Sequence, residues 1–176
     1  MTALYLDATM SEKEYYLILP LLLYGLAVTG LINSWRSLLR DEQRYVPYIL
    51  TSLLLLELAF WNFFGMYHWI QDGSLLSYPG YLKILLAPIV FILIVSVFTP
   101  EKDEKSVKEY YMNNMRTVFG LMVLFTALHF FYGHELFIWQ RLTGMVLLSI
   151  TAITRKVWMV YVLVVFRVIL IIDVSL

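Results

Sequence analysis

The chain of 176 residues contains no cysteine. Disulfides, thiolate-bound metals, iron–sulfur clusters and thiol nucleophiles are therefore excluded, and the redox compartment is left open. Net charge is also missing. Thirteen Lys and Arg residues cancel thirteen Asp and Glu, so no field draws nucleic acid, which is not expected as a partner. There is no GxSxG, no glycine-rich phosphate loop, no HExxH and no paired acidic motif. No catalytic residue is assigned on this basis. No lysine lies in the middle of an apolar run, which argues against a retinal Schiff base. The N-terminal MTALYLDATMSEKEYY lacks the basic stretch of a signal peptide, so the first apolar run is expected to stay in the mature chain.

What the chain has instead is apolar length. Hydrophobic residues make up 61%, against about 45–50% in a soluble domain, and they gather into long runs. The central one is PYILTSLLLLELAFWNFFGMYHWI, residues 47–70, in which only Glu57 and His68 titrate. It exceeds the about 20 residues needed to cross a bilayer core. The pattern predicts an all-α integral membrane protein, one domain of six transmembrane helices at about 15–35, 47–70, 81–98, 117–132, 136–154 and 157–172. The lipid bilayer is the expected surrounding, with a homo-oligomer or other membrane proteins as possible protein partners.

Punctuation supports these limits. Pro20 and Pro47 are placed in the first turns of spans one and two, where a missing N–H is tolerated. Pro88 falls inside span three and is expected to kink it. Leu26, Thr29, Gly30 and Asn33 share one face of span one, the small-and-polar surface that helix contacts in lipid favour. The polar segment EKDEKSVKEYYMNNMR, residues 101–116, is expected on the cytoplasmic face, lying at the membrane surface before the fourth span begins. Arg155 and Lys156 separate spans five and six.

Basic residues orient the bundle. Arg36, Arg40, Arg44, Lys102, Lys105, Lys108, Arg116, Arg155 and Lys156 all fall on one side, nine of the thirteen. Lys13 lies on the other side, Lys83 and Arg141 sit just inside span ends where they can snorkel outward, and Arg167 is within span six. The positive-inside bias then predicts both termini outside.

Two charges lie deep. Glu57 is 13 residues beyond Arg44, and Arg167 is 12 beyond Arg155. Spans two and six run the same way, so the two side chains come to one depth within about one 5.4 Å turn. A lone charge there is costly, so the two are expected to pair. The pair admits a structural role, fixing how span six packs, and a functional one, as part of an ion or proton path. Glu57, Trp61, Phe64 and His68 lie on one stripe of span two, read as an aromatic packing face with His68 at its wet end. Trp35, Trp69, Trp139, Tyr78 and Tyr132 suit interfacial belts. His68 and His129 both lie near outer span ends, with His134 and Glu135 in the same layer. Two histidines on two helices admit a haem b or a metal.

In LLYGLAVTGLINSWRSLLR, FWNFFGMYHW, the span ending VFTP, and EYYMNNMRTVFGL, the chain resembles a group of small bacterial polytopic membrane proteins, over about two-thirds of its length. The resemblance implies a bacterial inner-membrane location and carries no activity with it. Three functional classes follow from the residues. One is transport or ion conduction through a polar interior near Glu57 and Arg167. A second is a non-catalytic subunit, sensor or scaffold. The third is a haem-binding redox subunit built on His68 and His129.

Overall fold

A computed structural model describes residues 12–38, 44–71, 77–100, 106–132 and 138–175, with side chains for 14–35, 44–66, 77–100, 106–130 and 138–173. These residues form six α-helices and no strand: α1 Glu12–Leu38, α2 Val46–Gln71, α3 Tyr78–Phe98, α4 Val107–Leu128, α5 Ile138–Thr154 and α6 Trp158–Ser175. A single 3₁₀ turn, His129–Tyr132, extends α4.

Local chemistry sets several of the ends. Ser77 caps α3 by accepting the Gly80 N–H at 3.2 Å, and Ser106 caps α4 by accepting the Glu109 N–H at 3.3 Å. Arg155 stops α5 by turning left-handed, with φ 52°, while its N–H still donates to the Thr151 carbonyl at 2.9 Å. α6 then starts afresh at Trp158, so the two short apolar helices stay separate.

The bundle closes as a ring whose order differs from chain order. α1 packs on α2 and α3, then α3 on α4, α4 on α5 and α5 on α6, and α6 closes on α2. α2 also touches α3 and α4, so it carries contacts to both halves of the molecule.

Among the described residues, three stretches are long and apolar enough to cross a membrane, Glu14–Trp35, Val46–Met66 and Tyr78–Phe98. α5 is apolar but has 17 residues, about 25 Å of helix. α4 opens on Lys108, Glu109, Asn113, Asn114 and Arg116, and α6 carries Arg167 and Asp173.

Several expectations are corrected. α1 begins at Glu12, so Pro20 lies inside the helix rather than in its first turns. The packing face of α1 is not Leu26, Thr29, Gly30 and Asn33. Leu26 is 67% exposed, and Tyr24, Ala27, Leu31 and Ser34 are buried instead. Thr29 can face outward because its hydroxyl donates to its own helix, to the Gly25 carbonyl at 2.8 Å. Gly30 of the expected set lies close to α3: a methyl group added there would meet Val95 at 3.5 Å. Residues 107–116 form the first turns of α4 and continue into it without a break, with Val107, Tyr111 and Met115 buried; residues 101–105 lie outside the described residues. Trp35 is turned toward α2, where its indole N–H donates to Ser52 Oγ at 3.1 Å. Tyr78 and Trp139 do face outward. The helix runs on through Pro88, which is buried.

Candidate functional site

Buried positions on α2 repeat at helical spacing: Tyr48, Thr51, Ser52, Leu55, Ala59, Asn62 and Met66. That stripe faces α1, α3 and α4. Glu57 lies off it, on the side where α6 closes the ring. Arg167 of α6 meets it there. Nε donates to Oε2 at 2.6 Å and Nη2 to Oε1 at 2.8 Å, a bidentate fork. Both side chains keep about a quarter of their surface accessible, 21% and 27%. The guanidinium also lies over the Trp61 ring, 5.3 Å from its centroid, a cation–π contact one turn along from Glu57. The sequence stripe is therefore split. Trp61 joins the charge pair, Phe64 points outward at 70% exposure, and the His68 side chain lies outside the described residues.

Beside this pair, α2, α4, α5 and α6 line a half-open cavity of about 180 Å³. Its floor is leucine: Leu54 and Leu58 from α2, Leu148 from α5 and Leu163 from α6. Its other end is polar, formed by Asn62, Thr126, His129, Gln140 and Arg141. Gly144 of α5 opens the wall; its nearest neighbour across the gap is the Phe166 ring. Arg167 lines the cavity, but Glu57 does not. The charged lining among the described residues is thus two arginines and no acid.

The polar end is organised by His129. Its Nδ1 faces the Phe125 carbonyl at 2.7 Å, and its Nε2 meets Asn62 Oδ1. Asn62 is held in that sense because its Nδ2 donates to the Leu58 carbonyl at 2.7 Å. Both groups facing the imidazole are acceptors. A neutral ring has one N–H and serves one of them; only the imidazolium serves both. Arg141 Nη1 donates to the His129 carbonyl at 3.2 Å. Arg141 therefore turns inward to the cavity rather than snorkelling out of the bundle.

This bears on the histidine pair expected from the sequence. Both ring nitrogens of His129 are engaged within the protein, so neither is presented to an iron. His134 and Glu135 lie outside the described residues. Among the described residues no three His, Asp or Glu side chains gather as a metal site.

Sequence reasoning missed Asn62, Gln140 and the inward role of Arg141. A signal existed for one of them: an asparagine five residues beyond Glu57 in an apolar run needs a partner. Comparison of the chain with family models, curated proteins and solved structures gives no match.

Proposed function

We propose that this chain is a multi-pass protein of the bacterial inner membrane, six spans with both termini outside, that passes a small solute or ion through the cavity between α2, α4, α5 and α6. One observation carries the reading: a cavity beside the deepest charges of the chain, with an apolar floor, a polar end and two arginines in its wall. Sites of this make-up, apolar walls with a few convergent polar groups, are the usual form of small-molecule pockets. The Glu57–Arg167 pair serves as the clasp that seats α6 on α2. Its fork geometry supports that role over a free proton-carrying carboxylate.

The test is flux in proteoliposomes, with dyes reporting protons, monovalent cations and anions, and organic anions followed directly. Protein-dependent flux that stops in Gly144→Leu, which fills the cavity, is the expected result. Absence of flux for every solute leaves the subunit or sensor reading. Flux lost in Glu57→Gln with folding intact would move the pair from clasp to conduction path. Orientation is read separately, because the natural chain has no cysteine. In the six-span topology, Asp173→Cys reacts with an impermeant maleimide from outside. Lys156→Cys reacts only after permeabilisation. The reverse pattern overturns the topology.

A further inference from the structure

Resting on the proposed function, in which this cavity is the path, we infer that the path is shut by one apolar layer, Leu54, Met122, Leu148 and Leu163, and that this layer decides what passes. Each of the four lines the cavity, one from each surrounding helix. Contacts between the helices put them at one level. α2 and α4 run together, since Thr51 meets Tyr111 and Asn62 meets His129. α5 turns back along α4 where Arg141 reaches the His129 carbonyl. Leu148 lies seven residues beyond that arginine, and Met122 seven before that histidine. α6 turns back again after Arg155, from which Leu148 and Leu163 lie seven and eight residues away. The fork from Arg167 to Glu57 then ties α6 to α2, and Leu163 and Leu54 stand four and three residues before its two members. All four side chains thus fall within about one 5.4 Å turn of a common height.

Burial changes at this level. Among the described residues, none of α5 before Leu148 and none of α6 after Leu163 is buried. From the layer toward Arg155, by contrast, Leu148, Thr151 and Ala152 of α5 and Met159, Val160 and Leu163 of α6 are all buried. The cavity therefore ends blind at the layer. The seal is short. Leu148 is six residues from the end of α5 and Leu163 five from the start of α6, roughly 7–9 Å of helix. Its chemistry keeps it tight. A buried water needs roughly two to four polar partners, and three leucines and a methionine do not supply them. Thr151, the next turn along α5, has its hydroxyl turned to its own helix, donating to the Leu147 carbonyl at 2.7 Å. An apolar constriction of this kind stops ions and polar solutes by staying dry. A polar solute crosses only when the four side chains part or when the layer is made wettable.

The experiment has two readouts on the full-length chain. The first uses single cysteines, since the natural chain has none, and the neutral, water-soluble reagent 2-hydroxyethyl methanethiosulfonate. In nanodiscs, Gly144→Cys is expected to react at least tenfold faster than Thr151→Cys, which lies beyond the layer. The second is proton entry into pyranine-loaded proteoliposomes after an imposed pH step. Leu148→Asn and Leu163→Asn are each expected to raise entry at least tenfold over the natural chain. Ile150→Asn, on the exposed side of α5, is expected to change it by less than twofold, a split that general damage to the helix would not produce. Equal reactivity of Gly144→Cys and Thr151→Cys overturns the inference, and this comparison stands even where the asparagine variants fail to fold. Folded layer variants that admit no more protons than the natural chain also overturn it. The proposed function is judged apart. Entry through the layer variants, with no solute carried by the natural chain, keeps the barrier and removes transport. Solute flux in the natural chain that the layer variants leave unchanged keeps transport and removes this barrier.

Discussion

Two halves of this bundle are built on opposite terms. Where α1, α2, α3 and α4 meet, aromatic rings fill the interior. Tyr48 stacks on Phe98 with centroids 4.3 Å apart and planes 7° from parallel. Tyr111 stands edge-on to both. The hydroxyls of the Tyr48–Tyr111 cluster have partners: Tyr48 donates to Ser34 at 3.1 Å, and Tyr111 shares a 2.7 Å bond with Thr51. Thr51 in turn donates to the Pro47 carbonyl. Where α2, α4, α5 and α6 meet, the interior is a cavity, and charge holds the wall. The difference teaches that polar groups inside an apolar chain serve two ends. In the first half they satisfy one another and let large rings close-pack. In the second they pair along the wall of a cavity, Asn62 with His129 and Glu57 with Arg167, and no ring fills the space between.

The largest effect is expected in the aromatic half. Tyr48→Ala removes a fully buried ring from the stack and should cost about 3–5 kcal/mol in detergent unfolding. A loss under about 1 kcal/mol would mean that the stack is not a core. Next comes the charged wall. Arg167→Gln leaves Glu57 as an unpaired charge and should cost about 3 kcal/mol. The double change Glu57→Gln with Arg167→Gln should cost less than the two single losses together, because no lone charge remains. Strict additivity would show that the fork is energetically idle. Tyr111→Phe keeps the ring and deletes one hydroxyl whose partner, Thr51, retains its bond to Pro47. About 1 kcal/mol is expected. The smallest effect sharpens the contrast. Gly144→Ala adds a methyl facing the cavity, where its nearest contact would be Phe166 at an ordinary 3.6 Å. Stability should hold or rise by up to about 1 kcal/mol from helix propensity. A clear loss would mean that the wall is as tightly packed as the core.

Much of the skeleton was legible because lipid-length apolar runs and their charged breaks are properties of the chain alone. The break at Arg155 and Lys156 marks where α5 ends. Glu57 and Arg167 were found by counting residues from basic connectors, since helical rise converts sequence distance into depth. Facing direction was not legible in the same way. α1 is apolar nearly all round, so its sequence contains no stripe to separate Tyr24, Ala27 and Leu31 from Leu26. Composition of one face suggested Thr29 and Asn33, but a side chain that bonds its own backbone is released from the need to face a neighbour.

What the sequence determined by itself is therefore the set of helices, their breaks and the matched positions of the two charges along α2 and α6, each a one-dimensional quantity. Only the tertiary structure decided which helices touch. α6 closes the ring on α2 rather than on α1, and that choice brings Arg167 to Glu57. It also leaves α2, α4, α5 and α6 around a cavity that no single helix encodes. Arg141 reads in the sequence as a residue near a span end, free to reach the interface. It lines the cavity because the His129 carbonyl at the end of α4 offers its guanidinium an acceptor there. Depth is fixed by rise along one helix, whereas azimuth is fixed by partners, and partners exist only once the bundle has closed.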